Sequence, residues 1–350
     1  MGSHDDRRLQ VLSRDLIVPD QKETLDGFRA FALRMKRHLR PNATLSYNML
    51  ETTSSLAKRC HARRLREAGL TRVKEDLRNE LIALARSGGK LVGPTSLDEV
   101  DILAARLHAE SPWMFALTTF LMRHMRGFVR SGGVGLHLPP IILAGPPGVG
   151  KSWWARSVAG AAGLPLRLID VGSGTAAFRV AGTEKGWGTA QPGLPVECVL
   201  SAHVANPVML VDEIDKAGTV YSTSGSPSSL TTALLQFLDP GTAPRFECPF
   251  ARVTFDMSRV IWVLTANDPD RIPAPLRDRC RVFHMPEITS DMAIQFFDRI
   301  AQDIGDNDGL KAEARAFVAG SASGPNRLSL RQIGQVVEIL RSIDDGDILQ

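Results

Sequence analysis

The sequence predicts an α/β fold: a parallel sheet with helices on both faces, preceded by a helical N-terminal region and followed by a small helical domain. Short apolar runs at 141–144, 166–171, 208–211, 260–264 and 281–285 alternate with segments of helical periodicity, the pattern of strands buried on both faces. After Pro286 the runs stop, and 290–304, 310–319 and 328–342 read as helices.

Ahead of the sheet, residues 1–110 read as helical and polar, punctuated by Leu65–Gly69, Ser87–Gly89 and Val92–Ser96. Ser96 followed by Glu99 has the spacing of a capping box and predicts a helix over 97–109. Ser111-Pro112 opens the next, running through Phe115, Leu117, Phe120, Leu121 and Met125 to Arg130 until the glycines of 131–135 end it. Further on, STSGSPSS at 222–229 is the one low-complexity stretch and predicts a mobile surface loop. No internal repeat is evident.

Composition narrows the class. Hydrophobic residues make up 43% and charged residues 23% of the 350, as in a soluble globular protein. No apolar run approaches a membrane span, and MGSHDDRRLQ lacks the apolar core of a leader, so a cytoplasmic location without a membrane partner is expected. Cys60, Cys198, Cys248 and Cys280 are scattered without C-x-x-C spacing, which predicts reduced thiols rather than a disulfide framework or zinc site. The net charge is only +4, yet residues 29–90 hold fifteen Lys/Arg against five Asp/Glu. That basic stretch is a candidate nucleic-acid footprint, although such runs are more often a solvated helix face and the interleaved aromatics of a single-strand binder are missing.

The chemistry begins at LAGPPGVGKSWW, residues 143–154, where an apolar run gives way to a helix. Gly145, Gly148 and Gly150, spaced by Pro146, Pro147 and Val149, allow a backbone whose N–H groups turn inward to a phosphate, and the helix adds its positive end. Lys151 is placed to reach terminal phosphates and the Ser152 hydroxyl to ligate Mg²⁺. By composition alone this pattern arises in roughly one chain of this length in a hundred. Of Trp153 and Trp154, adjacent on the helix, one at most packs on the sheet.

Two later strand ends add polar groups. PVMLVDEIDK (207–216) ends in Asp212, suited to the Mg²⁺ shell, and Glu213, suited to polarising a water. VIWVLTANDPD (260–270) presents Asn267, a neutral amide that orients water without repelling phosphate; in a parallel sheet, ligands collect at this end of the strands. Past that edge, IPAPLRDRC (272–280) supplies Arg277 and Arg279, and RLSLRQIGQ (327–335) brings Arg331 to the start of a helix.

In order and spacing, Gly145–Ser152, Asp212/Glu213, Asn267, Arg279 and Arg331 resemble Walker A, Walker B, sensor 1, arginine finger and sensor 2 of AAA+ ATPases. The chain is most similar to the ATPase module of Lon proteases, on the evidence of GPPGVGKS, WGTAQPG (187–193), VDEIDK, LLQFLDP (234–240) and IPAPLRDR. The resemblance covers about residues 112–342 and implies a large ATPase subdomain over 112–286 and a helical lid over 287–350, behind a basic N-terminal region of 1–111. It implies ATP bound by Gly145–Trp153 and Arg331, with Ser152 and Asp212 on Mg²⁺ and Glu213 as catalytic base. Asn267 would position the water, and Arg279 would reach the site of a neighbouring subunit, because such enzymes work as rings, usually hexamers. WGTAQPG stands in the place of a pore loop, with Trp187 as its only aromatic. Lon proteases carry a Ser-Lys peptidase domain after the lid. This sequence ends at Gln350 with only Lys311 beyond Lys216, so peptidase activity is not expected. The expected function is ATP-driven remodelling or translocation of a protein client. A nucleic-acid-associated ATPase or an ATP-timed assembly switch is the alternative.

Overall fold

The computed structural model describes residues 7–173, 175–184, 190–217, 219–221, 227–305, 309–321 and 328–344. A first short strand, β1 (Arg8–Leu9), leads into α1 (Gln21–Leu39) and α2 (Tyr47–Glu67), which pair as a hairpin. Asp20 starts α1 with a full capping box: its side chain accepts the Glu23 N–H while the Glu23 carboxylate accepts the Asp20 N–H. Then α3 (Glu75–Ser87) stops at Gly88, whose φ of +66° suits the end of a helix. β2 (Gly89–Lys90) follows and pairs antiparallel with β1.

Next come α4 (Leu97–Glu110) and α5 (Phe115–Arg130). Ser96 accepts the Glu99 N–H at 3.2 Å as the spacing predicts. The reciprocal half of the box differs: the Glu99 carboxylate reaches the N–H and hydroxyl of Thr95, at 2.6 and 2.9 Å. Those two bonds hold the Glu99 carboxyl below the usual carboxylate range.

The α/β body is built from β3 (Ile141–Ala144), α6 (Lys151–Ala162), β4 (Leu166–Asp170), α7 (Ala176–Ala181), α8 (Leu194–Ala202) and β5 (Val208–Asp212). A hairpin of β6 (Thr219–Tyr221) and β7 (Pro227–Ser229) leads to α9 (Leu230–Leu238), and a second, β8 (Phe246–Cys248) with β9 (Val253–Phe255), leads to β10 (Ile261–Ala266). α10 (Ala274–Arg277) and β11 (Arg281–His284) complete it. After them, α11 (Ser290–Ile300), α12 (Leu310–Ser321) and α13 (Leu330–Asp344) pack on one another.

The central sheet is parallel throughout, in the order β11-β3-β10-β5-β4. All five expected runs are its strands. Their side chains alternate between two cores. Ile142, Ala144, Met209, Val211, Trp262 and Leu264 face one, and Ile141, Leu143, Val208, Leu210, Ile261 and Val263 face the other. The first core is closed by α7, α8, α9 and by residues from the start of the chain; the second by α4, α5, α6 and the last three helices.

Two features depart from the sequence reading. Of the stretch 222–229, residues 227–229 are strand β7 rather than loop, and 222–226 lie outside the described residues. The N-terminal region is also not wholly helical. Val11, Leu12, Leu16 and Val18 are buried in the sheet's first core, Leu12 bridges to Phe255, and the Asp256 N–H donates to the Val11 carbonyl. Burying each such side chain contributes about 1.5–3 kcal/mol. Among the described residues no helix is long and apolar enough to cross a membrane.

Candidate functional site

The loop between β3 and α6 curls because its glycines take conformations closed to other residues. Gly145, Gly148 and Gly150 have φ of +154°, +79° and +93°. The space they leave is also needed: a Cβ on Gly145 would stand 2.5 Å from the Met285 carbonyl oxygen, and one on Gly148 would meet the Ser329 side chain at 2.2 Å. The loop is held from below by Gly145 N–H donating to Ala266 O on β10, and from the side by Trp113 Nε1 donating to Val149 O at 3.3 Å. From the last helices, the Leu330 N–H donates to Gly148 O at 3.0 Å. The start of α13 thus sits directly on the cradle.

Lys151, first residue of α6, is buried, and its ammonium donates to Gly145 O at 2.6 Å, Pro146 O at 2.9 Å and Asn267 Oδ1 at 2.9 Å. Burial lowers its pKa, while Asp212, Asp215 and Glu213 oppose that shift. Ser152 Oγ donates to Asp212 Oδ1 at 2.8 Å, joining α6 to the tip of β5. Trp154 is fully buried and Trp153 is 47% exposed, as their adjacency requires.

Glu213 is one of three non-glycine residues with positive φ among the described residues, at +61°. Left-handed backbone at such a residue is strained and collects at functional sites. It is held there because the Glu213 N–H donates to Thr265 Oγ1 at 3.0 Å, while the same hydroxyl donates to Asp212 Oδ1. One threonine on β10 therefore ties the Asp212 carboxylate at the tip of β5 to the backbone of Glu213 that follows it. The Glu213 side chain lies 2.7 Å from Lys216 Nζ through Oε2 and 3.4 Å from Asn267 Nδ2 through Oε1. The hydrogen bond to Glu213 raises the Lys216 pKa. Asp215 accepts the N–H groups of Asn267 and Asp268 on Oδ2, at 3.2 and 3.1 Å, and its Oδ1 is buried without a hydrogen-bond partner among the described residues.

The residues singled out from sequence on the cradle, Asp212, Glu213 and Asn267 thus converge on one strand-end cluster. Arg331 is the second residue of α13, one position from the Leu330 contact to Gly148, and is exposed. Arg279 stands apart, paired with Asp239 at 3.1 Å. Of its neighbours, Arg277 lies 3.7 Å from Asp270, and the Arg281 guanidinium sits 4.4 Å above the Phe120 ring. Trp187 lies outside the described residues. Thr265, Asp215, Lys216 and Asp239 were not singled out beforehand. The signal for Thr265 was a hydroxyl at the end of an otherwise apolar run, two residues before Asn267. Asp215 and Asp239 depend on contacts between segments distant in sequence, while Lys216 pairs with Glu213 three residues before it.

The site fits a nucleotide with Mg²⁺. The loop turns on three glycines of positive φ, its lysine is buried with only carbonyl partners among the described residues, and Ser152, Asp212 and Thr265 form an all-oxygen donor set of the kind a hard cation takes. Residues 141–287 match the family model described as ATPase family associated with various cellular activities (AAA). The chain is 40% identical over 145 residues to a mitochondrial Lon protease homolog of Phaeodactylum tricornutum, covering 41% of this chain and 16% of that protein. It is 38% identical over 197 residues to a Lon protease of Lawsonia intracellularis, covering 56% and 23%. It is 33% identical over 197 residues to Lon protease 4 of Sorangium cellulosum, covering 56% and 24%. The similarity therefore spans less than a quarter of these relatives' length.

Proposed function

We propose that the chain binds ATP with Mg²⁺ in the β3–α6 cradle and hydrolyses it to remodel or translocate a protein client, a reading supported by the match of residues 141–287 to the AAA ATPase family model and by the similarity to Lon proteases. The observation that carries this is the convergence of Lys151, Ser152, Asp212, Glu213 and Asn267, from three segments of the chain, on one strand-end cluster. Ser152 and Asp212 would hold Mg²⁺, which supplies charge neutralisation at the phosphates when bound. Glu213 accepts the proton of the attacking water, with Asn267 orienting that water and Arg331 contacting nucleotide from the lid over 287–350. Held through Thr265, Glu213 keeps its carboxylate turned toward Asn267. In this reading the large subdomain spans 112–286, the protein assembles as a homo-oligomeric ring, a hexamer by resemblance, in the cytoplasm, and Arg279 serves the neighbouring site.

A protein client is favoured by the Lon likeness and by Trp187 in the position of a pore loop. The test is hydrolysis with and without an unfolded polypeptide such as casein. Stimulation that disappears in Trp187→Ala supports the reading; a rate indifferent to polypeptide contradicts it. Casein itself is expected to stay intact, since the only lysine after Lys216 in these residues is Lys311.

One observation favours a second reading, nucleic-acid association or an ATP-timed assembly. The α1–α2 segment, residues 21–67, carries eleven Lys/Arg against four Asp/Glu, most of them exposed. Salt-dependent DNA or RNA binding that vanishes when Lys58, Arg59, Arg63, Arg64 and Arg66 are neutralised would support it.

A further inference from the structure

Arg279 is not a loose surface arginine. Its Nε and Nη2 both donate to Asp239 Oδ2, at 3.2 and 3.1 Å, and its Nη1 donates to the Pro275 carbonyl at 3.2 Å. A guanidinium has five N–H donors in a rigid planar fork. Three are engaged within the chain, two remain, and the side chain is still 37% exposed. Asp239 grips the guanidinium along its Nε–Nη2 edge, which fixes the plane of the fork and leaves donors for a partner outside the subunit.

The grip is itself anchored. Asp239 follows the last residue of α9, and its second oxygen, Oδ1, accepts the Gly241 N–H at 2.8 Å. That bond, then the contact with Arg279, holds the Asp239 carboxyl below the usual range, so it stays charged. The end of α9 is packed down by buried Leu234, Phe237 and Leu238. The Phe237 ring lies 4.2 Å from Phe246 and 5.3 Å from Trp262, on the strand that ends near Asn267. Asp239 therefore ties Arg279 to the rigid body that carries the site, rather than to a surface loop.

We propose that Asp239 is the positioning residue for Arg279, orienting its guanidinium toward the nucleotide of a neighbouring subunit. The inference rests on the reading of Arg279 as a group acting between subunits. Misplacing such a group by about 1 Å costs on the order of a hundredfold in rate. Asp239→Asn keeps an oxygen for the Gly241 N–H and removes the charge that grips the fork. A partly exposed ion pair contributes little to stability, so this variant folds.

The experiment uses the full chain in four forms: Asp239→Asn, Arg279→Ala, the two combined, and Glu213→Gln. Arg279→Ala is expected to bind ATP and lose on the order of a thousandfold in rate. Asp239→Asn should lose about tenfold or more in kcat with KM for ATP unchanged. The combined variant should be no slower than Arg279→Ala alone, because the two act as one unit. The decisive form is a mixed assembly of Asp239→Asn with Glu213→Gln, co-expressed with different tags and purified on both. Half its subunits keep the base, and half of those receive a well-oriented finger from a Glu213→Gln neighbour. At a tenfold deficit, the rate per subunit should rise about threefold over Asp239→Asn alone. A residue acting only within its own subunit would instead give about half. Asp239→Asn at the wild-type rate with Arg279→Ala inactive overturns the proposal, as does a mixed assembly at half rate. Arg279→Ala at the wild-type rate overturns the reading beneath it, and so does failure to recover any doubly tagged assembly.

Discussion

Ser152 Oγ lies 2.8 Å from Asp212 Oδ1, so the first turn of α6 and the tip of β5 are joined by the two oxygens best suited to share a divalent cation. Asp212→Ala should remove the Mg²⁺-dependent tightening of nucleotide binding, read with a fluorescent ATP analogue titrated with Mg²⁺. Hydrolysis should fall on the order of a hundredfold or more, since the cation neutralises phosphate charge worth several kcal/mol in the transition state. Binding that tightens with Mg²⁺ as in the wild type would remove Asp212 from the cation site.

Thr265→Val keeps the shape of a fully buried side chain and deletes the hydroxyl that links Asp212 to the Glu213 N–H. Leaving these groups without their partner should cost about 1–3 kcal/mol in denaturant stability. It also releases Glu213 from its left-handed backbone, so kcat should fall more than ATP affinity. A variant that loses stability and keeps wild-type kcat would make Thr265 purely structural.

Gly148→Ala pushes a Cβ against Ser329 and requires an alanine at φ +79°. Both effects act where α13 meets the cradle through the Leu330 bond to Gly148 O. Thermal stability and ATP affinity should drop together in this variant, whereas Gly160→Ala, within α6 and with no atom within 4 Å of the added Cβ, should lower neither.

Acid should weaken the fold through His137. Burial first, then Arg259 and the adjacent His124, push its pKa down to about 4 from 6.5, and burial lowers His124 as well. His137 stacks 4.7 Å from Phe128 and lies 3.4 Å from His124, with Arg259 over Phe128 and Arg281 over Phe120. The unfolded chain takes up the proton near 6.5 and the folded chain resists until about 4, so stability falls as pH drops through that window. One proton allows a slope of at most about 1.4 kcal/mol per pH unit. His137→Phe should flatten urea-denaturation stability between pH 6.5 and 4 relative to wild type. Equal slopes would show that the group does not carry the effect.

Much of the fold was legible because its strands are buried on both faces and so read as unbroken apolar runs, such as 261–264 and 208–211. The cradle was legible because phosphate binding there needs three glycines, a lysine and a serine in one short stretch. What escaped depends on contacts made across the chain. Leu12 joins Phe255 some 240 residues away, and a two-residue strand such as β1 carries no periodicity to detect. The roles of Asp215 and Asp239 carry no sequence signal, since their partners, Asn267 with Asp268 and Arg279, are set by packing. The serine-rich stretch 222–229 has the composition of a loop, yet residues 227–229 pair with β6, showing that composition is a weak guide where a partner strand lies close by.

The most direct test of the account is ATP binding and turnover measured side by side in Glu213→Gln. The cradle, Lys151 and the Ser152–Asp212 pair are untouched by this change, so binding should stay within a few-fold of wild type. Turnover should fall by two to four orders of magnitude, the usual worth of a general base. Lys151→Ala, by contrast, should weaken binding itself, by about ten- to a hundredfold for a charge-assisted contact of about 1.5–3 kcal/mol. Intact binding with lost hydrolysis in Glu213→Gln is the result the account predicts; hydrolysis at the wild-type rate would contradict it.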